Sequence, residues 1–213
     1  MRGQLRPAIV FGMLLLGVGA VVKWAWKARR DPSACPYGQR VFLELPRPFL
    51  RRDELLRILA PVPGERLLEV GPGTGYYTLD VARRLEPGGQ LDVLDLQPAM
   101  LEETMRRAAA RGVRNVVPAQ GNAQALPYPG ATFDGAYLVA TLGEVPDRNR
   151  ALRELRRVLK HGGRLVVGEG QPDPHMVSLR DLREQAEAVG LRYERHRGRF
   201  GYLARFGVSK ETL

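Results

Sequence analysis

The chain has 213 residues, of which 44% are hydrophobic and 26% charged, and it contains no low-complexity segment or internal repeat. This composition is typical of a globular protein, and the residues after position 30 suffice for one α/β domain with a full core. Because Cys35 is the sole cysteine, an intrachain disulfide is excluded. The formal net charge of +10 at pH 7 favours nucleic acid or anionic lipid as a partner, although solvated arginine-rich helices would give the same charge without one.

An uncharged apolar stretch near the start of the chain, Ala8–Val22, predicts a single membrane-spanning helix. Continued through Trp26, such a helix would be about 28 Å long at roughly 1.5 Å per residue, close to the thickness of the hydrocarbon layer. Lys23 can extend its amine to the interface, and tryptophan is favoured there. A cleaved signal peptide and a core or peripheral helix are the alternatives.

The distribution of positive charge predicts the orientation of this helix. Arg2 and Arg6 precede it, whereas a larger number of lysines and arginines follow it. The more positive side remains in the cytoplasm, so we expect a single-pass protein of the cell membrane with a cytoplasmic catalytic domain. The predicted organisation is an anchor at residues 1–30, a linker or lid at 31–50 and the main domain at 51–213.

Helix and strand patterns alternate from residue 51 to the end of the chain. The predicted helices are Arg51–Leu59, Tyr76–Leu85, Pro98–Arg111, Asp147–Leu159 and Ser178–Val189. The predicted strands are Arg66–Val70, Leu91–Leu96, Val113–Val117, Phe133–Val139, Arg164–Val167, Leu191–His196 and Tyr202–Phe206, the last two forming a hairpin. This alternation predicts a doubly wound α/β domain, a parallel sheet with helices on both faces, in which the strands' carboxyl ends share one ligand-binding edge.

The most specific motif is the glycine-rich turn Gly71-Pro72-Gly73-Thr74-Gly75 between the first strand and the next helix. Glycines allow a ligand to lie directly against the backbone, and the start of the helix offers free N–H groups. A dinucleotide-binding turn would carry a third glycine at position 76, where this chain has Tyr76. Glu69 precedes the turn and could face an ammonium group, which argues further against a pyrophosphate ligand.

Two more strand ends carry polar side chains suited to a nucleoside. Asp95 ends the second predicted strand, and its two oxygens can accept hydrogen bonds from both hydroxyls of a ribose. Asn122 follows the third strand and can both donate to and accept from the edge of an adenine. Any doubly wound nucleoside-binding protein can have a carboxylate at this position, so Asp95 does not by itself specify the ligand. A surface aspartate is the alternative.

Together with Phe133–Val145 and Ala151–Leu165, these motifs resemble the class I S-adenosylmethionine-dependent methyltransferases, of the type that includes ubiquinone and menaquinone C-methyltransferases. The resemblance covers about residues 50–206. It implies a Rossmann-like seven-stranded sheet with the last strand antiparallel, and S-adenosyl-L-methionine as cofactor. It further implies that the cofactor's methionine part lies against Gly71, Gly73 and Gly75 with its amino group near Glu69, its ribose on Asp95, and its adenine at Asn122 and Ala123; Tyr76 and Leu96 complete the predicted cofactor site.

The predicted function is methyl transfer to a small or lipophilic acceptor, such as a phospholipid headgroup or a quinone precursor. His175 and Glu144 are the candidate catalytic bases, and Glu144 stands where many family members carry histidine; similarly, Asn122 stands where the family usually has aspartate. We expect no metal and no nucleic-acid partner, since the histidines are scattered and no RNA-binding module is recognisable. The alternative is a non-catalytic methyltransferase-like membrane scaffold or nucleoside sensor.

Overall fold

The computed structural model describes residues 34–38, 47–171 and 173–209. The predicted membrane helix and most of the predicted linker lie outside these ranges. Among the residues that the structure does describe, no helix is both long enough and apolar enough to cross a bilayer.

Seven strands and five α-helices alternate through the described part of the main domain. The helices are α1 (Arg52–Leu59), α2 (Thr78–Arg84), α3 (Pro98–Ala110), α4 (Arg148–Val158) and α5 (Leu179–Ala188). The strands are β1 (Arg66–Val70), β2 (Gln90–Asp95), β3 (Val116–Gln120), β4 (Phe133–Val139), β5 (Leu159–Gly170), β6 (Leu191–Arg197) and β7 (Gly201–Val208), and a 3-10 turn, Leu142–Glu144, follows β4.

The strands form one sheet in the order β3-β2-β1-β4-β5-β7-β6. Strands β1 to β5 pair in parallel, whereas β7 runs antiparallel to both β5 and β6. The predicted seven-stranded fold with an antiparallel last strand is therefore confirmed. The strand order reverses between β1 and β4, and ligands of open α/β sheets bind outside the carboxyl ends of strands at such a point.

Helices cover both faces of the sheet, each over its own apolar cluster. Leu67 belongs to a cluster with apolar residues of α1, α2 and α3, whereas Leu68 belongs to a cluster with residues of α4 and α5. Successive side chains of a strand point to opposite faces, so two consecutive apolar residues on a strand contribute one side chain to each cluster. This arrangement explains why the central strands are nearly continuous apolar runs.

The third strand begins three residues later than its sequence predicts. The β-branched run indicated Val113–Val117, but the strand is Val116–Gln120. Val113 is buried outside the sheet because its N–H donates to the carbonyl of Ala108, 3.0 Å away, and closes the end of α3. Pro118 is tolerated inside β3 because β3 is an edge strand.

A nearly buried arginine joins α1 to the amino end of the sheet. Arg164 donates to the carbonyl oxygens of Leu59 and Ala60, at 2.5 and 3.1 Å, and both of its terminal nitrogens bond Glu65 at 2.7 and 2.6 Å. Partial burial opposes ionisation of Glu65, but the Arg164 hydrogen bonds offset it and hold the pKa of that carboxyl below its usual value. One side chain thus satisfies carbonyls that the end of α1 leaves without helical partners.

We expect Arg164→Met to lower the free energy of unfolding by about 3–5 kcal/mol, because it removes the charged partner of the Glu65 carboxylate and the nearest side-chain donor to the carbonyls of Leu59 and Ala60. Urea denaturation at pH 7 measures this loss. The matched control is Arg180→Met, whose side chain is 85% exposed and should cost less than about 1 kcal/mol. Equal losses in the two variants would contradict the structural role of Arg164.

Candidate active site

A cavity opens at the carboxyl edge of the sheet, where β1, β2, β3 and β4 end. Residues from these strand ends form its walls, together with residues 34 and 35 and residue 47 from the part of the chain before α1. The structure brings seven of the predicted site residues together in its lining: Gly71, Gly73, Asp95, Leu96, Asn122, Ala123 and Glu144.

The glycine-rich turn forms one wall because its backbone is bare. Gly71 has a φ of +72°, and a Cβ atom there would lie 2.5 Å from the side chain of Thr141, so only glycine fits between β1 and the end of β4. Gly75 has a φ of +80° and packs instead against Thr104 of α3, away from the lining residues. Thr104 also donates its hydroxyl to the carbonyl of Gly73, 2.9 Å away.

Like Gly75, the predicted cofactor residues Glu69 and Tyr76 are not among the described residues that line the cavity. Glu69 is buried, and its carboxylate accepts the hydroxyl of Thr78 at 2.6 Å, which ties the end of β1 to the start of α2. Burial raises the pKa of Glu69 to about 7. Tyr76 stacks under the guanidinium of Arg52, 4.0 Å from its ring centre, and its neighbour Tyr77 lines the cavity.

Asp95 and Gln97 connect the end of β2 to the segment 34–38. Asp95 is 8% exposed, and its carboxylate accepts the N–H of Gln97 at 2.9 Å; burial raises its pKa. The Gln97 side chain donates to the carbonyl of Cys35 at 2.9 Å and accepts the N–H of Tyr37 at 3.1 Å. These two hydrogen bonds hold residues 34–38 beside the mouth of the cavity, within the region predicted to be a linker or lid.

Glu144 presents an acidic group to the cavity from the 3-10 turn after β4. Burial, together with the negative charge of Asp173, raises the pKa of its carboxyl to about 8. Its carboxylate also accepts the N–H of Cys35, another lining residue, at 3.3 Å. Glu144 therefore lies at the site with a pKa near the working range of a general base.

The structure places His175, the other predicted base, outside the residues that line the cavity. Its backbone carbonyl packs so closely on Gly143 that a Cβ atom at Gly143 would collide with it. Its ring nitrogen Nδ1 lies 3.6 Å from the carboxylate of Asp173. His175 therefore packs the loop after β5 against the turn that carries Glu144.

Sequence reasoning missed Glu169, a fully buried carboxyl at the end of β5. It accepts the N–H of Gly143 at 3.3 Å, and burial raises its pKa to about 8. A charged residue at the end of an apolar strand was the available signal, as it was for Asp95. Gln97 and Thr141 were also missed, and their contacts arise only from the tertiary fold.

The lining fits S-adenosyl-L-methionine, a cationic nucleoside. The bare backbone at Gly71 permits close approach, and Asp95 offers carboxylate oxygens in a mostly buried setting. The lining formed by the described residues contains two acidic groups, Asp95 and Glu144, and one guanidinium, that of Arg47. A buried carboxylate favours a cationic ligand over an anionic one, because each charge stabilises the other in a low-dielectric site.

The fold is that of the class of S-adenosylmethionine-dependent methyltransferases. A solved structure described as a SAM-dependent methyltransferase from Aquifex aeolicus superposes with a TM-score of 0.75 at 20% identity, over 82% of this chain and all of that one. The [4+2]-cyclase SpnF superposes with a TM-score of 0.68 at 23% identity, over 75% of this chain and 80% of its own. Both similarities concern the fold.

The sequence identifies the family within this class. The ubiE/COQ5 methyltransferase family matches residues 45–181, and the chain belongs to this family. Two relatives are the demethylmenaquinone methyltransferase of Bacillus cytotoxicus, 34% identical over 62% of this chain and 55% of its own length, and the ubiquinone/menaquinone biosynthesis C-methyltransferase UbiE of Pasteurella multocida, 39% identical over 50% and 40%. The chain spans about half the length of the curated relatives it matches. The predicted family and its cofactor, S-adenosyl-L-methionine, are confirmed.

We expect Asp95→Ala to weaken the binding of S-adenosyl-L-methionine by about ten- to a hundredfold, because hydrogen bonds to a charged group contribute about 1.5–3 kcal/mol. Isothermal titration calorimetry measures the change. Asp181→Ala, on the exposed surface of α5, serves as the control and should bind as the unmodified chain does. Unchanged affinity in Asp95→Ala would remove Asp95 from the cofactor site.

Proposed function

We propose that this protein transfers a methyl group from S-adenosyl-L-methionine to the ring of a lipophilic quinone precursor. The observation that carries the proposal is a single cavity in which the glycine turn, Asp95 and Glu144 meet. The names of the relatives, which act on demethylmenaquinone or in ubiquinone and menaquinone biosynthesis, support a quinone-type acceptor. A phospholipid headgroup is the other acceptor that we consider.

The chain's own residues bind and orient the cofactor and accept a proton from the methyl acceptor. When bound, the cofactor supplies an electrophilic methyl group on a sulfonium. Asp95 and the backbone at Gly71 orient it, and the segment 34–38, held by Gln97, helps to exclude water from the mouth of the cavity. Glu144 accepts the proton that the acceptor loses; since its pKa is raised to about 8, a nearby positive charge is needed to favour its carboxylate form at neutral pH.

We further propose that the apolar segment 8–26 attaches the protein to the cell membrane, with the methyltransferase domain on the cytoplasmic side. Its apolar stretch and the excess of positive charge after it support this location. A membrane location fits an acceptor with a long apolar tail, which would reach the cavity from the lipid phase.

Turnover of purified full-length protein with methyl-labelled cofactor tests the proposed activity. We expect label to enter a short-tailed demethylmenaquinone and not phosphatidylethanolamine vesicles, with the product identified by mass spectrometry. Label in the phospholipid alone would overturn the choice of acceptor. Cofactor binding without transfer to either acceptor would favour the non-catalytic alternative.

We expect Glu144→Gln to lower kcat by about 10²–10⁴-fold while leaving cofactor affinity largely intact, because only the proton acceptor is lost. In the unmodified protein kcat should rise with pH as Glu144 ionises, around pH 8 or lower if the bound sulfonium stabilises its carboxylate, and the variant should lose this rise. The comparison variant His175→Gln should keep the same midpoint. If His175→Gln instead removes the pH dependence, the base has been misassigned.

A further inference from the structure

Two phenylalanine side chains stand exposed next to each other outside the cavity. Phe49 is 46% exposed and Phe200, at the tip of the β6–β7 hairpin, is 64% exposed. Their ring centres are 5.8 Å apart with the planes tilted by 53°, so the two rings form one continuous apolar patch. Exposed aromatic clusters of this kind commonly mark an interaction surface.

Arginines predominate around this patch, one of which, Arg51, is paired with Asp53 at 2.9 Å. The two rings line a surface groove together with Arg51, Arg197 and Arg199, and Glu54 is the acidic residue in the same lining. Arg197 pairs with Glu54 at 3.3 Å, with the two side chains 52% and 28% exposed, so the pair is weak and easily exchanged for another anion. The hairpin sequence 195–200 contains three arginines, one histidine and no acidic residue.

The groove opens at the same edge of the sheet as the cofactor cavity. Strand β7 begins at Gly201, which pairs with Gly170, the last residue of β5. Residues 47–50 separate the two sites: Arg47 lines the cavity and Phe49 lines the groove. The next residue, Leu50, is buried, and its carbonyl accepts the hydroxyl of Tyr77 from the cavity wall at 2.7 Å. This hydrogen bond holds residues 47–50 in place between the cavity and the groove.

We propose that Phe49, Phe200, Arg51, Arg197 and Arg199, here called the aromatic–arginine face, dock on the surface of an anionic lipid bilayer. Aromatic rings partition into the interface between lipid headgroups and acyl chains, and arginines beside them bind the negatively charged headgroups. Charge complementarity selects this partner over a neutral one. The inference goes beyond methyl transfer and does not depend on the segment 8–26, since it assigns membrane contact to the folded domain itself.

Hydrogen exchange of the full-length protein in the presence of vesicles tests this contact peptide by peptide. Membrane binding through another segment of the chain would protect other peptides and is therefore distinguished. With vesicles of phosphatidylglycerol and phosphatidylcholine, we expect slower exchange in peptides covering residues 47–51 and 195–203. Vesicles of phosphatidylcholine alone should give little protection there, and about 0.5 M salt should reduce the protection on anionic vesicles, because exposed charges are screened.

Two pairs of matched variants assign the protection to side chains. Phe200→Ser should abolish it, whereas Val62→Ser, which removes a 54% exposed apolar side chain before the amino end of β1, should not. Arg199→Glu should raise the anionic lipid concentration for half-maximal protection at least fivefold, because each arginine near such a surface contributes about that factor. Arg153→Glu, on the exposed side of α4, should leave it unchanged.

Three results would overturn the proposal. Vesicle binding that leaves 195–203 unprotected would assign membrane contact elsewhere in the chain. Equal protection by neutral and anionic vesicles would remove the role of the arginines. Protection that grows with protein concentration in the absence of vesicles would show that a second copy of the chain covers the groove. The labelled-methyl turnover assay reports on methyl transfer separately, so failure of one proposal does not imply failure of the other.

Discussion

The backbone bend at Gly71 is the constraint on which the rest of the site depends. Strands β1 and β4 are neighbours in the sheet, and the bend passes so close to Thr141, just after β4, that no side chain fits between them. Three contacts hold the bend in place: the Glu69–Thr78 hydrogen bond across it, the bond from Thr104 to the Gly73 carbonyl, and the N–H of Gly71 to the carbonyl of Leu94, 2.8 Å away on β2. Because the bend is clamped from several elements, the cavity wall is preformed, and Asp95 lies beside it at the end of the adjacent strand.

The buried acidic groups around this bend lower the stability of the fold when they ionise, and a cationic ligand can offset part of that loss. Burial raises the pKa values of Glu69, Glu144 and Glu169 to about 7, 8 and 8. Raised pKa values mean that ionising these groups costs stability as the pH rises above the usual value of a glutamate, so the fold is less stable at high pH than it would be with neutral side chains. A cationic ligand offsets part of that cost for any group that faces it, and Glu144 faces the cavity. Such costs are typical of sites whose arrangement is set by function rather than by stability.

The sequence predicted the central strands and the strand-end residues well because both are local signals. The bounds of β1 and β4 were correct to the residue, since each is a mostly apolar run that begins after a polar residue. The start of β3 was wrong because Val113 is buried against the end of α3, and an apolar β-branched residue does not indicate which element covers it. Gly71, Asp95 and Asn122 were found at the cavity because strand ends converge on one edge. The hold of Gln97 on residues 34–38 could not be predicted, since it joins segments 60 residues apart.

The cofactor cavity and the aromatic–arginine face lie on the two sides of residues 47–50. The cofactor site depends first on the bend at Gly71. Calorimetric titration with S-adenosyl-L-methionine, for the unmodified chain and for Gly71→Ala, is the most direct test, with thermal unfolding to show that the variant folds. We expect one site per chain, lost when a methyl group is added at Gly71. Binding of equal strength by a folded Gly71→Ala variant, or none by the unmodified chain, would contradict the account.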